Sequence, residues 1–212
     1  MVISFYGEGC FKIQIQSGEF TILTDPFDSQ TGLTAPRFKP DLIIKTLTAF
    51  PIVSPNPPET QYLISGPGEY DIKNVSVFGF GLKKESSEKF LKTVYLIKLE
   101  GVRICLLGHI SAALEPEIAE RLEEIDVLFI PAGGKPFIEQ EAAIKIIKQT
   151  EPKIVIPMFF RVPGLERKSS DLKIFLEEFD YSQKNGTPQE KLAIRKKDLE
   201  AIKKTEIIVL KN

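Results

Sequence analysis

Thr93-Val-Tyr-Leu-Ile-Lys-Leu-Glu-Gly-Val-Arg-Ile-Cys-Leu-Leu107 holds two mainly apolar runs joined by Glu100-Gly101. Such runs read as strands, and an acidic residue followed by Gly suits a two-residue hairpin turn, in which both central residues need φ > 0. Strands 93–99 and 102–107 therefore pair, and the rhythm of the chain changes here. Upstream lie short strand-like runs at 2–6, 11–16, 20–24, 42–46, 61–64 and 75–78, separated by Gly, Pro, Asp and Ser. Downstream, strands at 127–130, 154–156 and 207–210 alternate with helical patterns at 115–124, 140–149 and 170–179. Strands first and strand–helix alternation second specify sheets covered by helices, an α/β class. The four prolines of 51–58 make a loop, and 184–188 and the lysine-rich 191–204 read as solvated surface.

With 212 residues, the chain has material for a sizeable core. It carries 28 Lys+Arg against 29 Asp+Glu, a net charge of −1, so nothing points to nucleic acid or an anionic membrane as partner. No apolar run reaches the ~18 residues of a membrane span, and residues 1–8 lack the basic and apolar regions of a signal peptide. A cytoplasmic location is the expectation. There is one histidine, His109, and there are two cysteines, Cys10 and Cys105. That is too few for a structural Cys/His zinc site, which takes four ligands, or for a disulfide framework. Both cysteines lie in apolar runs and read as small hydrophobes, not nucleophiles. Neither a P-loop, a strand–G-x-G-x-x-G–helix unit nor a G-x-S-x-G elbow is present.

Six segments in order resemble the metallo-β-lactamase superfamily, and within it the small bacterial branch of zinc-dependent hydrolases related to ascorbate-phosphate lactonases. They are Tyr6-Gly-Glu-Gly-Cys-Phe11, Ile22-Leu-Thr-Asp-Pro-Phe27, Gly66-Pro-Gly-Glu-Tyr70, Cys105-Leu-Leu-Gly108, Asp126-Val-Leu-Phe-Ile-Pro131 with Gly133-Gly134, and Pro152-Lys-Ile-Val-Ile-Pro-Met158. The resemblance implies one domain over 1–212, folded as an αββα four-layer sandwich with a metal site in loops at one edge of the sheets.

The metal ligands are where the sequence departs from that family. Its H-x-H-x-D-H signature is expected after strand 42–44, where Thr46-Leu-Thr-Ala-Phe-Pro-Ile52 stands instead. Leu47, Ala49 and Ile52 take the three histidine positions and Pro51 the aspartate position. Lys84 stands near a further histidine position, His109 at the bridging aspartate, Phe159 at the last histidine, and Glu8 at the histidine of the first motif. Catalytic zinc takes three protein ligands, so the expectation is no metal, no cofactor and a dry apolar pocket.

A non-catalytic role follows from that expectation: binding a small anionic ligand or a protein partner, or serving as a subunit of a homo-oligomer. The alternative is a hydrolase of a phosphoester or lactone with an atypical site around Glu8 and His109. Such a carboxylate–imidazole pair acts as a general base or as a salt-bridged replacement for lost ligands. Asp25, in an Asp-Pro turn, reads as structural. Lys84, Lys135 and Arg161, with the Gly133 and Gly134 amides, are the candidate anion-binding groups.

Overall fold

The computed structural model describes residues 1–15, 18–51, 61–179 and 188–212. The first sheet is built from β1 (Val2–Gly7), β2 (Cys10–Gln14), β3 (Thr21–Thr24), β4 (Leu42–Ile44), β6 (Tyr62–Ile64) and β13 (Lys191–Ala193), in the order β13-β1-β2-β3-β4-β6. The second contains β7 (Gly68–Ile72), β8 (Val75–Gly81), β9 (Phe90–Leu99), β10 (Val102–Leu106), β11 (Val127–Pro131), β12 (Ile154–Met158) and β14 (Glu206–Ile207), in the order β14-β12-β11-β10-β9-β8-β7. A short β5 (Leu47–Ala49) pairs with β9 off this path. The helices are α1 (Pro116–Ala119), α2 (Gln140–Thr150), α3 (Leu172–Glu178) and α4 (Lys196–Glu200).

β1 alternates half-buried and buried residues, turning Ile3 and Phe5 inward. β11 and β12 are buried at every position, as expected of parallel strands covered on both faces. Phe11 of β2 meets Phe129 of β11 edge-on at 4.7 Å between ring centres, joining the two sheets through one apolar core. α2 buries Ala143, Ile144, Ile146 and Ile147 and packs on β11. This is the α/β architecture of two packed sheets that the resemblance implies.

The β9–β10 hairpin turns at Glu100 (φ 51°) and Gly101 (φ 73°), both left-handed as its type requires. Two sequence readings need correction. The helix read over 115–124 is only Pro116–Ala119, and Glu124 is left-handed (φ 54°). The 66–70 segment enters β7, where Gly68 (φ 150°) lies against the Tyr70 ring. Within 191–204, read as surface, β13 completes the first sheet and α4 buries Leu199, while Lys196 holds the Asp126 carboxylate at 2.9 Å. The loop read over 51–58, beyond Pro51, and residues 184–187 lie outside the described residues, as does Ile52. Among the described residues no helix is long and apolar enough to cross a membrane.

β3 and β4 run parallel in one sheet, and β10, β11 and β12 run parallel in the other. Strand ends that share a direction deliver their following loops to one edge, where open α/β sheets bind ligands. Asp25, Lys45, Thr46, His109, Phe137 and Phe159 all stand in such loops.

Candidate active site

The β1–β2 turn and the loops after β3, β4, β10, β11 and β12 line a cavity of about 460 Å³. Of the seven non-glycine residues with positive φ among the described residues, three line it: Glu8 (54°), Asp25 (34°) and Phe159 (58°). Left-handed backbone at non-glycine residues is costly and collects where side chains must be aimed. Two glycines permit the close packing behind them. A Cβ on Gly9 would lie 2.6 Å from the Phe159 ring, and one on Gly108 would collide with the Thr46 side chain.

Asp25 is the buried centre. Its Oδ1 accepts from the Thr46 backbone N–H at 2.7 Å, and its Oδ2 accepts from the Thr46 hydroxyl at 2.7 Å. The same hydroxyl oxygen lies 2.7 Å from His109 Nδ1, and Asp25 Oδ2 lies 3.8 Å from that nitrogen. Burial pushes the Asp25 carboxyl up, while His109, the two Thr46 hydrogen bonds and Lys45 pull it back down. Burial likewise pushes the His109 imidazole down, with Asp25 opposing the shift. The imidazole leans on Phe159 (centres 4.8 Å apart) and Phe137 (5.7 Å), which stack on each other at 4.1 Å.

Glu8 has a different partner. Its two oxygens take Nε and Nη2 of Arg167 at 3.0 and 2.7 Å. Nη2 also donates to the Phe159 carbonyl at 3.0 Å, and the guanidinium lies 4.9 Å from the Phe137 ring centre. Glu8 and His109 thus line one cavity without bonding each other.

The other sequence-derived positions lie elsewhere. Lys84, Lys135, Arg161, Gly133 and Gly134 do not line the cavity. Lys135 is 85% exposed and pairs with Glu139, and Lys84 bonds Glu115 through its backbone. The Arg161 backbone N–H donates to Ser170. Gly133 accepts from Ser170 and sits against the Phe159 carbonyl, and Gly134 accepts from Phe137. The structure does not gather these groups into an anion pocket. Phe159 is buried, but Leu47 is 37% exposed and Ala49 and Pro51 are exposed, so the pocket is not uniformly dry. Sequence reading missed Thr46, Arg167 and Lys45 and set Asp25 aside as structural. Arg167 carried no signal, standing 159 residues from Glu8.

A family profile described as a Beta-lactamase superfamily domain matches residues 2–159. A crystal structure from Thermotoga maritima, described provisionally as a Zn-dependent hydrolase of the metallo-β-lactamase superfamily, superposes with a TM-score of 0.77 at 25% identity, covering 99% of this chain and 97% of that one. Igni18, a metallo hydrolase from Ignicoccus hospitalis, shares the fold with a TM-score of 0.62 at 15% identity, covering 100% of this chain and 96% of that one. Two curated relatives bear the name UPF0173 metal-dependent hydrolase. The one from Archaeoglobus fulgidus is 25% identical over 80 residues, 37% of this chain and 35% of the relative. The one from Pelotomaculum thermopropionicum is 27% identical over 84 residues, 39% of this chain and 37% of the relative. The chain thus spans little more than a third of the length of the curated relatives it matches.

These names correct two expectations. The degenerate, non-catalytic reading gives way to its alternative, a hydrolase, because the relatives are named hydrolases. The expectation of no cofactor gives way too, since those names point to a divalent metal. The donors at this cavity do not fit such an ion as they stand. Among the described residues no three His, Cys, Asp or Glu side chains converge as a metal would need. Both oxygens of Glu8 are held by Arg167, and both of Asp25 by Thr46. The chemistry these side chains offer by themselves is proton transfer.

Proposed function

Since this chain belongs to the metallo-β-lactamase superfamily, we propose that it is a hydrolase whose general base is His109, held by Thr46 and Asp25. One observation carries the reading. The Thr46 hydroxyl has a single proton and gives it to Asp25 Oδ2, so toward His109 it can only accept. Nδ1 must then carry the imidazole proton, and Nε2 keeps its lone pair. Among the described residues nothing bonds Nε2, which is free to take a proton in the cavity that His109 lines.

The step balances with these groups alone. Nε2 takes a proton from water as the water oxygen bonds the acyl carbon or phosphorus of the substrate. The imidazolium formed is stabilised by Asp25 through Thr46, and it returns the proton to the departing oxygen as the ester bond breaks. Phosphoesters and lactones are the substrate classes to test first. Burial helps by keeping His109 neutral near pH 7.

A screen of activated esters, lactones and phosphodiesters, with His109→Gln as control, tests the reading. We expect hydrolysis that falls at least about 100-fold in the variant. Hydrolysis of equal rate in His109→Gln would overturn it.

A further inference from the structure

Five side chains of the cavity are charged or titrate near neutrality: Glu8, Asp25, Lys45, His109 and Arg167. Glu8 and Arg167 neutralise each other across two hydrogen bonds. Asp25 spends both oxygens on Thr46, and His109 bonds Thr46 as well. Lys45 is different. Its hydrogen bonds are all backbone, from its N–H to the Ile64 carbonyl at 2.9 Å and to its carbonyl from the Tyr95 hydroxyl at 3.0 Å. Among the described residues its ammonium has neither a carboxylate within 4.0 Å nor a hydrogen-bonded side chain, although it is near enough to Asp25 to be felt there.

The strand that delivers Lys45 is otherwise apolar. Leu42 and Ile44 are buried, Lys45 follows at a half-buried position, and Tyr95 pins its carbonyl. The Lys45 ammonium has no direct ion pair, the Asp25 carboxylate acting on it only from beyond 4.0 Å, and a ligand oxyanion would supply the contact partner. Apart from Gly9 and Thr31, the rest of the wall is apolar: Pro26, Phe27, Leu47, Pro136, Phe137 and Phe159. One free cation beside apolar walls suits a molecule with an apolar body and a single anionic head.

We propose that Lys45 anchors the oxyanion head, a carboxylate or phosphate, of an amphiphilic ligand in this cavity, so that the substrate is an anionic ester. The word substrate rests on the hydrolase reading; the anion site does not.

Calorimetric titration of the full chain with phenylacetate, benzylphosphonate and neutral benzyl alcohol tests it, using wild type, Lys45→Met, Lys45→Arg and His109→Gln. Both anions are expected to bind at least about tenfold more tightly than benzyl alcohol. Lys45→Met should remove that margin, while Lys45→Arg and His109→Gln keep it. The order of the two anions then says which head the site prefers. Equal binding of anions and alcohol, no binding of any probe, or a margin that survives Lys45→Met would each overturn the proposal. Anion binding by a protein with no esterase activity would defeat the hydrolase reading alone.

Discussion

Thr46 bridges Asp25 and His109: its hydroxyl oxygen lies 2.7 Å from Asp25 Oδ2 and 2.7 Å from His109 Nδ1. With the hydroxyl proton given to an ionised Asp25, Nδ1 is left to donate, and in the proposed hydrolase that direction sets Nε2 as the base. Thr46→Val should remove the acceptor from His109 and leave Asp25 Oδ2 buried without its donor. We expect about 1–3 kcal/mol of lost stability and about a 100-fold lower kcat/KM, with Thr46→Ser restoring both. Nitrogen-15 shifts of labelled histidine read the tautomer directly, since the chain has a single His. A wild-type spectrum with the proton on Nε2 would refute the arrangement.

Acid should weaken activity, and the His109 contribution to the fold should fall with it, while the raised Asp25 carboxyl contributes in the opposite sense. The His109 imidazole is held below its ordinary value of 6.5, chiefly by burial. At this group an unfolded chain then binds more protons than the native one between those two pKa values, so its contribution to stability is full above about 6.5 and falls as pH drops through the native value. Activity should follow the same limb, because only neutral His109 is a base. Asp25 holds the imidazole pKa up, so Asp25→Asn should move the limb further toward acid. Proton NMR of the histidine ring across pH 4–8 checks the sign; a titration above 6.5 in wild type would contradict it.

The Glu8–Arg167 pair should bind the 161–168 loop to the β1–β2 turn. With side chains 11% and 25% exposed, it is sheltered but not dry. Glu8→Gln or Arg167→Met alone should cost about 1–3 kcal/mol, and the double variant distinctly less than their sum. Urea denaturation measures all three. Strict additivity would mean that each side chain acts through other contacts.

Leu47 and Phe159, which the sequence reading sets at family histidine positions, should respond differently to histidine. Leu47→His, at a 37% exposed site, should shift stability by no more than about 0.5 kcal/mol. Phe159→His removes a ring that stacks on Phe137 and touches His109, and should cost about 2–4 kcal/mol. Thermal unfolding of the two variants separates them, and equal effects would show that the wall is uniform.

The sheets were legible in sequence because their inner strands are continuous apolar runs, such as Val127–Pro131 and Ile154–Met158. β5 was not legible: it buries Thr48 and exposes Leu47 and Ala49, the reverse of the usual pattern. β13 hid for a related reason, with only Leu192 half-buried between an exposed lysine and an exposed alanine. At the site, His109 stood out by being alone. Its partners did not, because Thr46 and Asp25 are common strand-end residues whose roles arise only when β3, β4 and β10 end together. Arg167 reaches Glu8 from the far end of the chain, a pairing that local pattern does not register.

Residues 191–207 lace the two sheets. β13 forms an edge of the first sheet against β1, and β14 forms an edge of the second against β12, with only α4 between them. Both additions close contacts over long sequence separations, the kind that slow folding. Until they form, β1 and β12 present bare backbone edges of two apolar sheets at once. A chain lacking residues 188–212 would therefore carry two open edges although every residue that lines the cavity had already been made, so these residues cover sheet edges and add nothing to the cavity wall.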